Sequence, residues 1–340
     1  MNIITMEHGS GGRATSELIN RIFASEFSND VLNLMEDSAV VEGAGRIAVT
    51  TDSFVVEPLE FPGGDIGRLC ICGTVNDLLM RGATPKYITC GFILQEGLEI
   101  EVLQRIVHSM AQAAHEAGVM IVAGDTKVVE GCGGMYINTS GVGFVDTSVD
   151  ISSRNICEGD VVIVSGTMGD HHAVIQSMRM GINNSIISDN APLNEMVTKL
   201  ISNNIELHAL RDITRGGLAT VLKELAVTSG CRIEIDEVSI PVNPMVEDFC
   251  AILGLDPMYM GNEGKLVAVV SPKDADKALE IIRKSRYGEK AEIIGRVTAA
   301  GNFGIMDSDA TEKGTLVMST SIGGRRIMDV LEGEGLPRIC

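Results

Sequence analysis

A hydrophobic pattern that switches repeatedly between the two-residue period of strands and the 3.6-residue period of helices constrains this fold most. In the first half, β-rich runs fall at RIAVTTDSFVV (46–56), KYITCGFIL (86–94), VMIVAGD (119–125) and MYINTSGVGFV (135–145). Helix-period stretches lie between them. GDIGRLCICGTVNDLLMRG (64–82) puts Ile66, Leu69, Gly73, Asn76 and Met80 on one face. EIEVLQRIVHSMAQAAHEAG (99–118) spaces Val102, Ile106, Met110, Ala113 and Ala117 at helical period, with Gly118 as its stop. A turn-rich stretch at 145–155 closes this half. A second set follows, with strands at 160–166, 232–236, 265–270, 292–298 and 315–319. Its helices fall at 170–180, 191–203, 217–229, 244–253 and 273–285. The two sets predict an α+β (α/β) chain of two domains, residues 1–153 and 154–330. After about residue 330 the periodicity stops. LEGEGLPRIC contains Gly333, Gly335 and Pro337, so residues 331–340 are expected to form an irregular, mobile tail ending in Cys340.

Composition supports two domains and narrows the partners. The chain has 340 residues, 45% of them hydrophobic, which is enough for a sizeable core. Tryptophan is absent, so the core must be built from Ile, Val, Leu, Met and Ala. The formal net charge of −19 disfavours nucleic acid and anionic membranes as partners. A polyphosphate ligand would need cations to offset that charge. No apolar run approaches the ~20 residues of a membrane span, and the first residues do not read as a signal peptide. The eight cysteines show no CxxC pair and no zinc spacing. Reduced thiols and a cytoplasmic location are expected.

The common nucleotide and hydrolase signatures are missing. GNEGK (261–265) lacks Walker A spacing, and no GxGxxG, HExxH or GxSxG occurs. Less familiar chemistry remains. In EHGSGGR (7–13), Gly9, Ser10, Gly11 and Gly12 precede a helical pattern starting near Thr15. Such backbone can wrap a phosphate, or it can be a flexible arm. Asp37, Asp52, Asp77 and Asp125 each lie among small residues at a strand end or in a helix. Singly, each suits a cap or turn; together they suit Mg²⁺ ions that hold phosphate oxygens. Asp77 is the most telling, because an unpaired charge in an apolar helix is costly. Lys127 is either an ion-pair partner of these carboxylates or a group that neutralises a transferring phosphoryl. SGTMGDHH (165–172) reads as a tight turn with Asp170 as N-cap, followed by His171. RDITRGGL (211–218) sets Asp212 and Thr214 before paired glycines, as a cap or an anion site. Glu263 in NEGK is a surface turn residue, or else a general base or metal ligand.

Taken in order, HGSGG, TDSFVV, GGDIGRL, GTVNDLLMRGA, GDTKVV, SGTMGDHH, RDITRGGL, NEGKL and the terminal PRIC resemble the HypE family of hydrogenase maturation factors. Any one string is weak; the ordered set with a terminal cysteine is specific. The wider superfamily includes aminoimidazole ribonucleotide synthetase, selenophosphate synthetase and thiamine-monophosphate kinase. One departure is visible: EDSAV carries Glu36 where relatives often have a second Asp.

The resemblance implies a homodimer whose N-terminal sheets close a shared barrel, with Mg²⁺ and ATP held between the domains. It assigns the metals to Asp37, Asp52, Asp77 and Asp125. It also implies the substrate. A HypF-type carbamoyltransferase loads Cys340 as S–C(=O)–NH₂, which is dehydrated to S–C≡N. The cyano group then passes to iron on a HypC–HypD complex. Phosphorylating the amide oxygen would make it a leaving group, and two N–H protons must depart. Lys127 would then stabilise the transferring group. Glu263 is the first candidate for proton acceptor, His171 a weaker second, and Asp77 a ligand or a base. Two other readings are another ATP-using enzyme of the superfamily acting on a small molecule, and a non-catalytic docking protein. The missing N-terminal cysteine counts against selenophosphate synthesis.

Overall fold

The computed structural model describes residues 3–9, 13–34, 41–43, 45–299, 314–332 and 336–340. Helix α1 (Arg13–Leu18) runs on into a π-helical segment, Ile19–Ala24. Strand β1 (Ile47–Phe54) is followed by a short hairpin, β2 (Glu60–Phe61) and β3 (Gly64–Asp65), and by α2 (Ile66–Leu79). Then come β4 (Ala83–Gln95), α3 (Ile100–Ala117), β5 (Met120–Val129) and β6 (Met135–Val145). Among the described residues the four long strands form one sheet in the order β1-β6-β4-β5. Only β4 and β5 are parallel, because α3 carries the chain back between them.

Helix α2 explains its own sequence. Asp65 caps it by accepting the Arg68 N–H at 2.9 Å. Almost its whole circumference is buried, so its apolar residues show no clean stripe. It lies between the four-stranded sheet and the second half of the chain. Helix α3 is amphipathic as expected, and Gly118 ends it in the left-handed region at φ +67°.

The second half contains β7 (Val161–Val164), α4 (Asp170–Arg179), α5 (Asn194–Ser202), β8 (Leu207–Asp212) and α6 (Gly217–Ser229). It continues with β9 (Arg232–Asp236), α7 (Pro244–Leu253), β10 (Leu266–Val270), α8 (Ala275–Arg283), β11 (Glu292–Thr298), β12 (Leu316–Ser319) and β13 (Arg325–Met328). Among the described residues the sheet order is β13-β12-β9-β11-β7-β10-β8. Alternate residues of β7 and β10 enter two different cores. Ile163, Leu266, Ala268 and Val270 join the core shared with the first half, whereas Val162, Val164, Val267 and Val269 face the other side. Both faces of β10 are therefore buried, which makes it a continuous apolar run.

The main departures from the sequence reading lie at edges. Strands β8 and β13 were not expected; each terminates the sheet and pairs with one neighbour, so alternation is weakly enforced there. Gly169, in the left-handed region at φ +85°, caps α4, and Asp170 is its first residue rather than its N-cap. The last residues of the tail are irregular as expected but docked rather than loose. Ile339 and Cys340 are buried within the shared core. Gly333 and Gly335 lie outside the described residues. One face of the first sheet has no cover among the described residues. Ile47, Val49, Ile93, Met120 and Val129 are all exposed on it, Val49 at 71%.

Candidate active site

The C-terminal segment lies antiparallel to residues 55–57, which directly follow β1. The Val55 N–H donates to the Cys340 carbonyl at 2.8 Å, and the Glu57 N–H donates to the Arg338 carbonyl at 3.2 Å. Arg338 returns a bond from Nε to the Val55 carbonyl at 2.9 Å, and its guanidinium meets the Glu57 carboxylate. Arg179, at the end of α4, donates to the carbonyls of Glu57, Pro337 and Arg338. Two chain segments are thus clamped by one side chain that carries the donors to do so.

His171 completes the dock. Its Nε2 lies 2.8 Å from the Ile339 carbonyl, and its Nδ1 lies 2.8 Å from the Ser188 hydroxyl. A carbonyl only accepts, so Nε2 carries the proton and Nδ1 accepts from Ser188. Burial lowers its basicity, which keeps the ring neutral. In the docked state it positions the residue before Cys340, and its available nitrogen is already used.

Glu263, Arg215 and Asp52 are the charged groups near enough to the Cys340 thiol to act on it. Burial, then the charge of Glu263, pushes it up to about 12, with Arg215 opposing. Asp52 on β1 points toward α2, where its carboxylate lies 4.0 Å from the Cβ position of Gly73. Asp77 on α2 accepts a 2.7 Å bond from the Thr50 hydroxyl. Asp212 at the end of β8 closes the group from the second half. A cavity of about 380 Å³ between the halves is lined by Thr50, Asp77, Arg211, Asp212 and Thr214. Burial raises the proton affinity of Asp52, Asp77, Asp212 and Glu263. The neighbouring Asp77 adds to this at Asp212, which titrates at about 7. Glu263 lies well above the usual carboxylate range, through burial and then the charges of Asp189, Asp212 and Asp52. Desolvated carboxylates that raise one another's proton affinity fit a site for hard divalent cations.

A buried frame fixes this group. Asn76, beside Asp77, donates to the Ala191 carbonyl at 3.0 Å and accepts from the Leu193 N–H at 3.0 Å. The 189–193 segment is thereby tied to α2. Asp189 within it accepts the Glu263 N–H at 3.1 Å, and the Lys265 ammonium lies 3.7 Å from its other oxygen. Glycine at 264 is obligatory, because a Cβ there would sit 1.9 Å from the Asp189 carbonyl. Arg68 donates to the Asn190 carbonyl at 3.1 Å and pairs with Glu116 at 2.8 Å.

The sequence-derived site residues divide into three groups. Asp52, Asp77, Asp212, Thr214, Glu263 and Cys340 gather at the cleft. Asp125 and Lys127 do not join them within one chain. They pair with each other at 2.7 Å, both largely exposed. β5 is the opposite edge strand from β1, three strand spacings or about 14 Å away. The register also puts Asp125 on the uncovered face, whereas Asp52 faces α2. Gly9 ends a 3-10 turn, Met6–Gly9. Ser10, Gly11, Gly12 and Asp37 lie outside the described residues. Sequence reasoning missed Arg179, Asp189, Arg215 and Arg338. Arg215, inside RDITRGGL, and Arg338, inside the terminal PRIC, lay within strings already singled out.

Comparison with known proteins agrees with this architecture. The two halves match the AIR synthase related protein N-terminal domain over residues 35–145 and the AIR synthase related protein C-terminal domain over residues 158–308. The class is therefore that of AIR synthase-related two-domain proteins. Carbamoyl dehydratase HypE of Rhodobacter capsulatus is 44% identical over 345 residues, 99% of this chain and 98% of that protein. A crystal structure of hydrogenase maturation protein HypE in complex with ATP matches with a TM-score of 0.94 at 45% identity, covering 98% of this chain and 99% of that one. A HypE–HypF complex structure matches with a TM-score of 0.78 at 45% identity, covering 92% and 99%. The chain belongs to the HypE family of carbamoyl dehydratases.

Proposed function

We propose that this chain dehydrates a carbamoyl group carried on its own Cys340, converting R–S–C(=O)–NH₂ to R–S–C≡N as ATP becomes ADP and phosphate. The observation that carries the reading is the docked tail, whose buried terminal residue pairs with Val55 and lies within electrostatic reach of Glu263, Arg215 and Asp52. ATP with Mg²⁺ would supply the phosphoryl group that turns the carbamoyl oxygen into a leaving group. Asp52, Asp77 and Asp212 are the residues that would hold the cations. Burial and the nearby carboxylates favour the protonated form of Glu263 while those charges are uncompensated. Neutralising them lowers its proton affinity, and the freed carboxylate can accept an N–H proton. Arg215 balances charge beside the sulfur. Arg179, Arg338 and His171 hold the backbone of the substrate segment, leaving the thiol itself unbonded to them.

The thiol chemistry separates loading from dehydration. A thiol held at about 12 is almost never a thiolate near neutral pH, so it is a poor nucleophile where it is docked. Loading by a HypF-type partner therefore takes place on the undocked tail. Release to a HypC–HypD complex follows the same route outward. The uncovered face of the first sheet is the proposed homodimer surface, where two such sheets would close a barrel. Asp125 and Lys127 lie on that face, so their contribution to a nucleotide site would come across the dimer. The test is mass analysis of the C-terminal peptide after carbamoylated chain meets Mg-ATP. A Cys340→Ala chain should fold and bind ATP yet yield no thiocyanate.

A further inference from the structure

Away from the cleft, where residue 157 precedes β7 and β8 begins, three metal-binding side chains converge. The Asp160 carboxylate is fully buried, and its Oδ2 lies 2.7 Å from His208 Nδ1. The Cys157 sulfur lies 3.5 Å from Asp160 Oδ1 and 3.9 Å from the same Nδ1 of His208. The other ring nitrogen of His208 faces the Glu206 carboxylate at 3.6 Å, and Lys273 pairs with Glu206 at 2.7 Å. Asp160 also accepts the Cys157 N–H at 2.9 Å, which fixes the turn that aims the sulfur at the histidine. Cys157 is exposed, so one side of the cluster is open to solvent.

This is not the arrangement of a nucleophilic triad. There, thiol and carboxylate address opposite ring nitrogens. Here both address Nδ1, and Nε2 is turned to a different carboxylate. One sulfur, one imidazole nitrogen and one carboxylate gathered within 4.8 Å, with Oδ1 toward the sulfur, Oδ2 toward the ring and the second imidazole nitrogen beside another carboxylate, is the pattern of a zinc site with one open position. Ideal Zn–S, Zn–N and Zn–O bonds of ~2.0–2.3 Å in a tetrahedron separate ligand atoms by about 3.4–3.6 Å. Of the observed separations, 3.5 Å falls within that range and 3.9 Å lies about 0.3 Å above it. The third requires the Asp160 oxygen and the imidazole to part by about 0.7 Å.

We propose that Cys157, Asp160 and His208 bind one zinc ion, with solvent as fourth ligand and Glu206 orienting the imidazole. Metal binding forms the S–Zn bond, and the thiol proton leaves to solvent. His208 and Asp212 share β8 but are four residues apart, about 13 Å along the strand, so this site is separate from the cleft.

Titration of the full-length chain with Co²⁺, followed by Zn²⁺ displacement, tests the proposal. The expected result is a thiolate-to-cobalt absorption band that saturates at one equivalent per chain and that Zn²⁺ abolishes, distinct from any binding at the cleft carboxylates, which carry no thiolate. Cys157→Ser and His208→Asn should each remove the band, whereas Cys132→Ser, at the other exposed cysteine, should leave it intact. Glu206→Gln should weaken binding about tenfold. In thermal melts, Zn²⁺ should raise the midpoint of the parent chain but not of Cys157→Ser. Absence of saturable binding in the parent chain, or a band that survives in Cys157→Ser, would overturn the proposal.

Discussion

Glu263 and Gly264 show how two adjacent residues serve chemistry and framework separately. Glu263 lies within electrostatic reach of the thiol, and replacing it with Gln removes the proton acceptor while keeping its volume. We expect Glu263→Gln to lower the dehydration rate by about 10²–10⁴-fold with little change in melting temperature. Single-turnover assay of pre-carbamoylated chain measures this, and an unchanged rate would remove Glu263 from the role. Gly264→Ala should do the reverse. Its methyl would strike the Asp189 carbonyl, so a lowered melting temperature is expected. At this scale the sequence was legible where chemistry is unusual. Asp77 in an apolar helix stood out because a buried charge requires a reason, whereas the burial of Glu263, between turn residues, was not legible. Asp189 and Arg179 did not stand out. Each lies in a stretch with no glycine signature, and its importance comes from the backbone it reaches across the chain. The contact of His171 with the tail was not legible either, since its partner lies 168 residues further on.

The element that decides function is the docked tail. It adds a short backbone pairing beside residues 55–57 without being a strand of the sheet. Arg179→Ala should loosen it by removing bonds to both segments. Hydrogen exchange at the Val55 and Glu57 amides, which donate to the tail, should then quicken, and turnover of pre-carbamoylated chain should slow. Protection equal to that of the parent chain would mean that Arg179 does not hold the tail. The regular elements were largely legible because their periods are enforced by burial on one face or both. The tail was not: glycines, proline and the end of periodicity predict irregular backbone, and irregular backbone can still be anchored by side chains elsewhere. Edge strand β13 escaped for a related reason, since all of its residues but Met328 are exposed.

Across the whole molecule, two halves share one core and bring their carboxylates together. Asp212 has its proton affinity raised from 3.8 to about 7 on folding. Its contribution to stability is therefore present below the unfolded value and is lost as pH rises through about 7. Without divalent cations, the melting temperature should fall between about pH 4 and pH 8. Mg²⁺ should restore it most at the upper end. A pH-independent Mg²⁺ effect would separate the cation site from these carboxylates. The uncovered sheet face makes a second molecular prediction. Val49→Lys with Ile93→Glu should convert a dimer to a monomer in sedimentation. The central claim is that Cys340 is a substrate held within its own enzyme. Its most direct test is the mass of the C-terminal peptide after carbamoylated chain is mixed with Mg-ATP. The account predicts a loss of one water, dependent on ATP and absent in Glu263→Gln; a peptide that keeps its full carbamoyl mass would contradict it.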